Sequence, residues 1–198
     1  MEYFISDIHA GHENCIAFDS RPFKSVLEMN QTLINNCNKV VKNSDDLYIL
    51  GDVAMKPQIA IEFLKKLNGK KHLILGNHDK EQIIRDANVC EEITPYKRIV
   101  ISNSYLNEFS PHGSIVVCMS HYPMLDWDKK MRGSVHLFGH VHTNDCIYFD
   151  NNQPLVFPLK ELKNAYNVFC GYQGYTPLRL DQILRLNGYY PDAYKPQE

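Results

Sequence analysis

No run of apolar residues in this 198-residue chain is long enough to cross a bilayer. Nor does Met1 lead into a basic stretch and an apolar one. A strand-like segment starts almost at once, so neither a signal peptide nor a membrane partner is expected. Charge of one sign is lacking too. The formal net charge is −2, which removes the electrostatic drive toward polyanions, and bulk nucleic-acid binding is not expected. The six cysteines (Cys15, Cys37, Cys90, Cys118, Cys146, Cys170) form no CxxC and no tight framework. Several sit in apolar runs, as Cys118 does, and they read as reduced core thiols of a cytoplasmic protein. Internal repeats, linkers and low-complexity tracts are missing, so residues 1–198 read as one domain.

What is present is a series of short apolar runs that stop at polar residues. Tyr3-Phe4-Ile5 ends at Ser6-Asp7-Ile8-His9, Leu47-Tyr48-Ile49-Leu50 at Gly51-Asp52, and Leu73-Ile74-Leu75 at Gly76-Asn77-His78-Asp79. Each is read as a strand. The stretch from Ala10 to Phe23 looks like a loop. Ser25-Val26-Leu27-Glu28 fits a capping box and opens a helix with Val26, Met29, Leu33, Cys37 and Val40 on its inner stripe. Pro57 starts a second helix with Ala60, Phe63, Leu64 and Leu67 inside, closed by Asn68-Gly69. A short third helix carries Ile83, Ile84 and Ala87. This β-α-β-α-β-α order indicates an α/β fold. Further on, strands are expected at Arg98 to Ile101, Ser114 to Met119 and Ser134 to Phe138. One more is placed in Asn151 to Pro158, a last core strand at Asn167 to Cys170, and a strand-to-helix segment from Pro177 to Ile183.

Five strand ends therefore carry metal-capable residues: Asp7 and His9, Asp52, the Asn77-His78-Asp79 cluster, His121, and His140 with His142. In open α/β sheets, ligands sit beyond the carboxyl ends of strands. A lone histidine at a strand end is ordinarily solvated or hydrogen-bonded. Five of the nine histidines at such ends, in chain order, are a different matter. The set Asp7, His9, Asp52, Asn77, His121, His140 and His142 is too large for one tetrahedral zinc. It suits two octahedral-leaning first-row ions sharing a carboxylate. His72, His112 and His136 belong to no motif and read as structural.

The ordered motifs Asp-x-His, Gly-Asp, Gly-Asn-His-Asp, a lone His and Gly-His-x-His resemble those of the calcineurin-like metallophosphoesterase superfamily, across Asp7 to His142. Arg21-Pro22-Phe23, His121-Tyr122-Pro123-Met124 and Arg132-Gly133-Ser134 look like a small bacterial and phage branch of it. The resemblance implies a four-layer α/β/β/α sandwich of two mixed sheets. It implies that Asp7, His9 and His142 hold one metal, that Asn77, His121 and His140 hold the other, and that Asp52 bridges them. A metal-bridging hydroxide would attack phosphorus in line, with His78 as general acid toward the leaving alkoxide. Manganese is the expected metal, with iron, zinc or nickel as alternatives. Asp79 either orients His78 or caps the next helix with Gln82. Asn77 and His78 would also meet the substrate, and His12 either joins them or is a loop residue. Arg21 and Arg132 are candidate phosphate contacts, with surface ion pairs as the alternative. Expected turnover is hydrolysis of a small or nucleotide-like phosphodiester, with a phosphomonoester or a non-catalytic metal-binding scaffold as alternatives. Residues Asn167 to Tyr175 are bulkier than in the branch, so no substrate preference is carried over. The Tyr-rich tail from Asn187 leaves the oligomeric state open.

Overall fold

The structure is a computed structural model and describes residues 1–143, 145–150 and 153–191, with the side chains of 145–150, 153–158 and 160 left out. In chain order the elements are β1 (Glu2–Ile5), α1 (Asn14–Phe18), α2 (Val26–Val40), β2 (Asp46–Ile49), α3 (Pro57–Leu64), β3 (Lys70–Ile74) and α4 (Glu81–Asp86). There follow β4 (Glu92–Thr94), β5 (Tyr96–Ser102), β6 (Ser114–Ser120), β7 (Val135–Phe138), β8 (Asp145–Asp150), β9 (Gln153–Pro158), β10 (Ala165–Asn167), β11 (Leu178–Arg179) and α5 (Leu180–Asn187).

Two mixed sheets result. The first has the order β11-β1-β2-β3-β4, parallel except for β11, and the second the order β10-β7-β6-β5, parallel except for β5. Strands β8 and β9 form a separate antiparallel pair. Period-two alternation sends neighbouring residues of the first sheet to different cores. Tyr3, Ile5, Leu47, Ile49 and Leu73 face Met29, Leu33 and Cys37 of α2, Ala60, Phe63 and Leu64 of α3, and Ile84 of α4. Phe4, Tyr48, Leu50 and Ile74 face the second sheet, where Ile115, Val117, Met119, Val135 and Leu137 meet them together with Leu180, Ile183 and Leu184 of α5. The far side of the second sheet is covered by Trp127 and Leu159 over Cys118, Phe138 and Ala165. Each fully buried Leu, Ile or Phe in these cores is worth roughly 1.5–3 kcal/mol.

The local signals act largely as expected. Ser25 caps α2 by accepting from the Glu28 N–H at 3.2 Å, although the Glu28 carboxylate accepts from Lys24 N–H, one residue before the cap. Pro57 occupies the first turn of α3, where its missing N–H costs nothing. Several expectations change. The stretch read as a loop contains α1, α3 ends at Leu64 rather than at Asn68-Gly69, Ile83 faces outward at 44% exposure, β4 and β8 stand where no strand was expected, and the last core strand starts two residues early, at Ala165. After β10 the chain leaves the second sheet for the first. Val168 N–H donates to Phe138 O (2.8 Å), while Ser6 N–H donates to Val168 O (2.9 Å) and Cys170 N–H to Ser6 O (3.1 Å). Among the described cysteines, Cys15, Cys37, Cys118 and Cys170 are buried free thiols and Cys90 is half-buried; the side chain of Cys146 lies outside the described residues.

Candidate metal centre

Strands β1, β2, β3, β6 and β7 deliver their next residues to one rim. The loops after β1 and β2 stay paired beyond the strands, through Asp7 N–H to Gly51 O (3.1 Å), His9 N–H to Asp52 O (3.0 Å) and Ala10 N–H to Val53 O (2.8 Å). That pairing brings Asp7, His9 and Asp52 together. The backbone is bent to do it. Asp7, His9, Asp52 and His140 have φ of 54°, 51°, 54° and 68°, a left-handed region that residues with a Cβ seldom adopt. Such conformations persist where surrounding structure holds them, and they cluster at working sites. Two glycines are required by closeness. A Cβ on Gly76 would stand 2.3 Å from Asp52 Oδ1, and one on Gly139 would stand 2.5 Å from Asp7 Oδ2.

Asp7, His9 and His142 form one group, with ligand-capable atoms within 4.8 Å of one another. Asp7 is fully buried. Its carboxylate accepts from Ser6 Oγ (2.5 Å) and from His140 N–H (3.1 and 3.0 Å), and lies 3.4 Å from His142 Nε2. Burial favours its protonated form, but the contacts with His142, His121 and Ser6 outweigh that, and its pKa stays below the usual range. His142 Nδ1 meets Asp19 Oδ1 at 2.8 Å, and Phe169 stacks on the His142 ring at 4.4 Å and 7°. Burial opposes the His142 cation, yet Asp19 and Asp7 together push its pKa up to about 9. His9 goes the other way. Burial drives it down to about 4 against the pull of Asp7 and Asp52.

Asn77, His121 and His140 form the second group. Asn77 Oδ1 lies 3.0 Å from His121 Nε2 and 3.1 Å from His140 Nδ1. Asp52 Oδ2 faces both groups, at 3.8 Å from His9 Nε2, 3.6 Å from His121 Nε2 and 3.8 Å from His78 Nε2. Asp7, Asp52 and His121 also satisfy ligand spacing by themselves.

The donor set fits cations. His121 Nδ1 meets the Leu50 carbonyl at 2.8 Å, and a carbonyl only accepts, so Nδ1 carries the proton. In the neutral ring the Nε2 lone pair then points at Asn77 Oδ1 and Asp52 Oδ2, which are acceptors as well. Lone pairs converging at such distances call for a positive centre among them. His9 Nδ1 is also buried without a hydrogen-bond partner among the described residues.

The remaining site expectations fare differently. His78 stands at the rim, its side chain 35% exposed and its backbone N–H donating to Asp52 Oδ1 at 3.0 Å. Both readings of Asp79 are corrected. Its carboxylate accepts from Asp52 N–H (2.9 Å), Val53 N–H (3.1 Å) and Gly76 N–H (2.9 Å), so it is spent on clamping two loops together. The residue at the α4 N-cap is Lys80, without a side-chain cap. His12 is half-buried with its ring 5.9 Å from that of His9, at the edge of the cluster. Arg21 is corrected as a phosphate contact. It is only 4% exposed, and its guanidinium donates to Asp19, to Ile8 O (2.8 Å) and to Asp7 O (3.0 Å). Arg132 is exposed and lines a cavity of about 380 Å³ with Phe109, Lys129 and Tyr189, none of them a candidate ligand. Asp19 escaped the sequence reading. Its one local signal is a place two residues before Arg21-Pro22, in a stretch read as a loop.

A fold of two mixed sheets with this rim of carboxylates and imidazoles defines a class of metal-dependent phosphoester hydrolases. The model of the calcineurin-like phosphoesterase family matches residues 3–152, and the chain belongs to that family. It is similar to the uncharacterized protein MJ1445 of Methanocaldococcus jannaschii, 33% identical over 93% of this chain and 89% of that one. The Gene 66 protein of Mycobacterium phage L5 is 28% identical over 71% of this chain and 77% of its own length. Among solved structures, the protein of unknown function AQ665 from Aquifex aeolicus superposes with a TM-score of 0.65 at 26% identity, covering 94% of this chain and 98% of that one. No helix among the described residues is long and apolar enough to cross a membrane.

Proposed function

We propose that residues 1–198 act as one domain that hydrolyses a small or nucleotide-like phosphodiester with a pair of divalent or trivalent metal ions, manganese first among them. Asp7, His9 and His142 would hold one ion, Asn77, His121 and His140 the other, with Asp52 shared. The observation that carries this reading is the position of Asp52 Oδ2, 3.6–3.8 Å from an imidazole nitrogen of each group and from His78. When bound, such ions supply Lewis-acid polarisation of the phosphoryl group and a lowered pKa for water. The chain does the rest. Asp7 and Asp52 set the negative charge of the cradle, and the Gly76 and Gly139 approaches keep it narrow. His78 lies outside the two ligand groups, half open to solvent, and in its protonated form holds a proton at Nε2 for the departing alkoxide. Its backbone bond to Asp52 fixes that distance.

The commitment of Arg21 to Asp19 and of Arg132 to another cavity supports a diester over a monoester. A diester carries one negative charge and a terminal phosphate close to two, which asks for more cationic neighbours than these. Hydrolysis of bis-p-nitrophenyl phosphate and p-nitrophenyl phosphate, with manganese and then with excess chelator, tests both points. A higher kcat/KM for the diester, lost on chelation, is expected. Preference for the monoester would overturn the substrate reading, and turnover indifferent to chelation would overturn the metal reading.

A further inference from the structure

Asp19 and Arg21 are buried charges that the reaction itself does not use. The end of α1 places them. Arg21 N–H returns to Ile16 O (2.8 Å) through Ser20, whose φ is 51°, and this turn points both side chains inward. The Asp19 side chain is 8% exposed and that of Arg21 is 0% exposed. Arg21 Nε and one terminal nitrogen meet Asp19 Oδ2 at 2.9 and 2.8 Å, leaving Asp19 Oδ1 for His142 Nδ1. The same guanidinium donates to the backbone carbonyls of Asp7 and Ile8. One pair thus touches two of the three residues of the first ligand group, one through its ring and one through its backbone.

We infer that Asp19 and Arg21 are positioning residues that pre-form the Asp7–His9–His142 half of the centre and leave the Asn77–His121–His140 half unaffected. The inference rests on the metal assignment proposed above. Asp19 holds the His142 proton at Nδ1, which leaves Nε2 toward Asp7 as the donor atom. Arg21 fixes the carboxylate that does so. It also ties down the Asp7 carbonyl, which Cys170 Sγ meets from another side at 3.3 Å. Asp7 holds a left-handed backbone with φ of 54°, an uncommon conformation for a residue with a Cβ, and the Arg21 bond to its carbonyl helps to hold it there. Among the described residues no comparable carboxylate serves the second half. His121 is oriented there by a backbone carbonyl, and His140 turns Nδ1 toward Asn77.

Loss of a group that orients a ligating histidine costs roughly 10–100-fold in metal affinity. The test is calorimetric titration of the full chain with manganese alone, checked by thermal unfolding without metal. Asn77→Ala leaves the first half as the intact one, and His9→Ala leaves the second. Asp19→Asn should weaken the ion retained in Asn77→Ala by roughly 10–100-fold and leave the ion retained in His9→Ala unchanged. Cobalt absorption should shift on adding Asp19→Asn to Asn77→Ala and stay fixed on adding it to His9→Ala. Asp19→Glu should recover part of the loss. Equal weakening in both backgrounds, or none in either, would overturn the inference. So would an Asp19→Asn chain that no longer folds, since the pair would then serve the fold itself. A wild-type chain that binds no pair of ions refutes the metal assignment directly, an outcome visible before any variant is made.

Discussion

His121 and His136 are both buried imidazoles supplied by neighbouring strands of one sheet, and they differ in the use of a single nitrogen. Each has Nδ1 against a backbone carbonyl, Leu50 O at 2.8 Å for His121 and Cys118 O at 3.1 Å for His136. His136 Nε2 accepts from Met124 N–H at 3.1 Å, so its ring is fully satisfied as a neutral tautomer. His121 Nε2 faces acceptors instead. The interior around β7 closes its polar groups among themselves, whereas the rim leaves donors of electron pairs pointing at one another. An unsatisfied buried group is costly. Its concentration at one rim marks where the protein is built to be completed from outside.

Four substitutions probe that contrast, the largest effect first. Asp52→Asn removes the carboxylate that faces both ligand groups. Both ions should weaken together and kcat/KM should fall by ~10⁴-fold or more, several kcal/mol at about 1.36 kcal/mol per tenfold. Metal analysis showing two tightly held ions in this variant would end the shared role. His78→Gln should keep both ions and slow turnover of an ester with an alkoxide leaving group by roughly 10²–10⁴-fold. The loss should shrink for a p-nitrophenyl ester, whose leaving group needs little protonation, and an equal loss on both would remove the acid role.

The interior member of the comparison answers to pH. Burial lowers the His136 pKa from 6.5 to about 4, with bonds to Cys118 and Tyr122 pulling weakly back. The unfolded ring takes up a proton below 6.5 while the folded one stays neutral until about 4. Stability from this group is therefore complete above pH 6.5 and drains away as pH falls to 4, by roughly 3 kcal/mol in all. His136→Gln, which offers an acceptor toward Met124 N–H, should flatten the urea-midpoint profile across that window. An unchanged slope would assign it to other groups. The smallest effect is expected at Asp79→Asn. One side-chain oxygen cannot serve three N–H donors, so about 2 kcal/mol of stability should go, with the Asp52 turn loosened. Denaturant midpoints equal to wild type would show that the clamp is dispensable.

The sequence carried the strands other than β4 and β8, the α2 cap, Pro57 and the polar stops at the rim, because each is written locally in hydrophobic period or in a polar stop after an apolar run. Where it misled, the reason was distance along the chain. Asp79 looked like a helix cap because Gln82 stands three residues on, yet its real donors include Asp52 and Val53, 27 and 26 residues away. Arg21 read as a phosphate contact or a surface ion pair because the carbonyls it meets, those of Ile8 and Asp7, stand 13 and 14 residues away and cannot be seen in a local pattern. Asp19 and His142 are 123 residues apart. Phe169 appeared as misplaced bulk, and its flat contact with His142 accounts for it.

The crossing of residues Val168 to Cys170 from one sheet to the other sets an order on biosynthesis. Strand β1 emerges from the ribosome first, but the side of β1 away from β2 is closed by Phe169 beside Ser6 and by β11. Until the last fifth of the chain appears, that side is an open edge able to pair with another polypeptide. Asp7 stands two residues beyond β1, and its carbonyl meets Cys170 Sγ only once that segment has arrived. Chains halted before Ala165 would therefore carry every candidate ligand and the β1–β2 pairing that gathers Asp7, His9 and Asp52, yet lack the Phe169 ring stacked on His142 and the Cys170 contact to the Asp7 carbonyl.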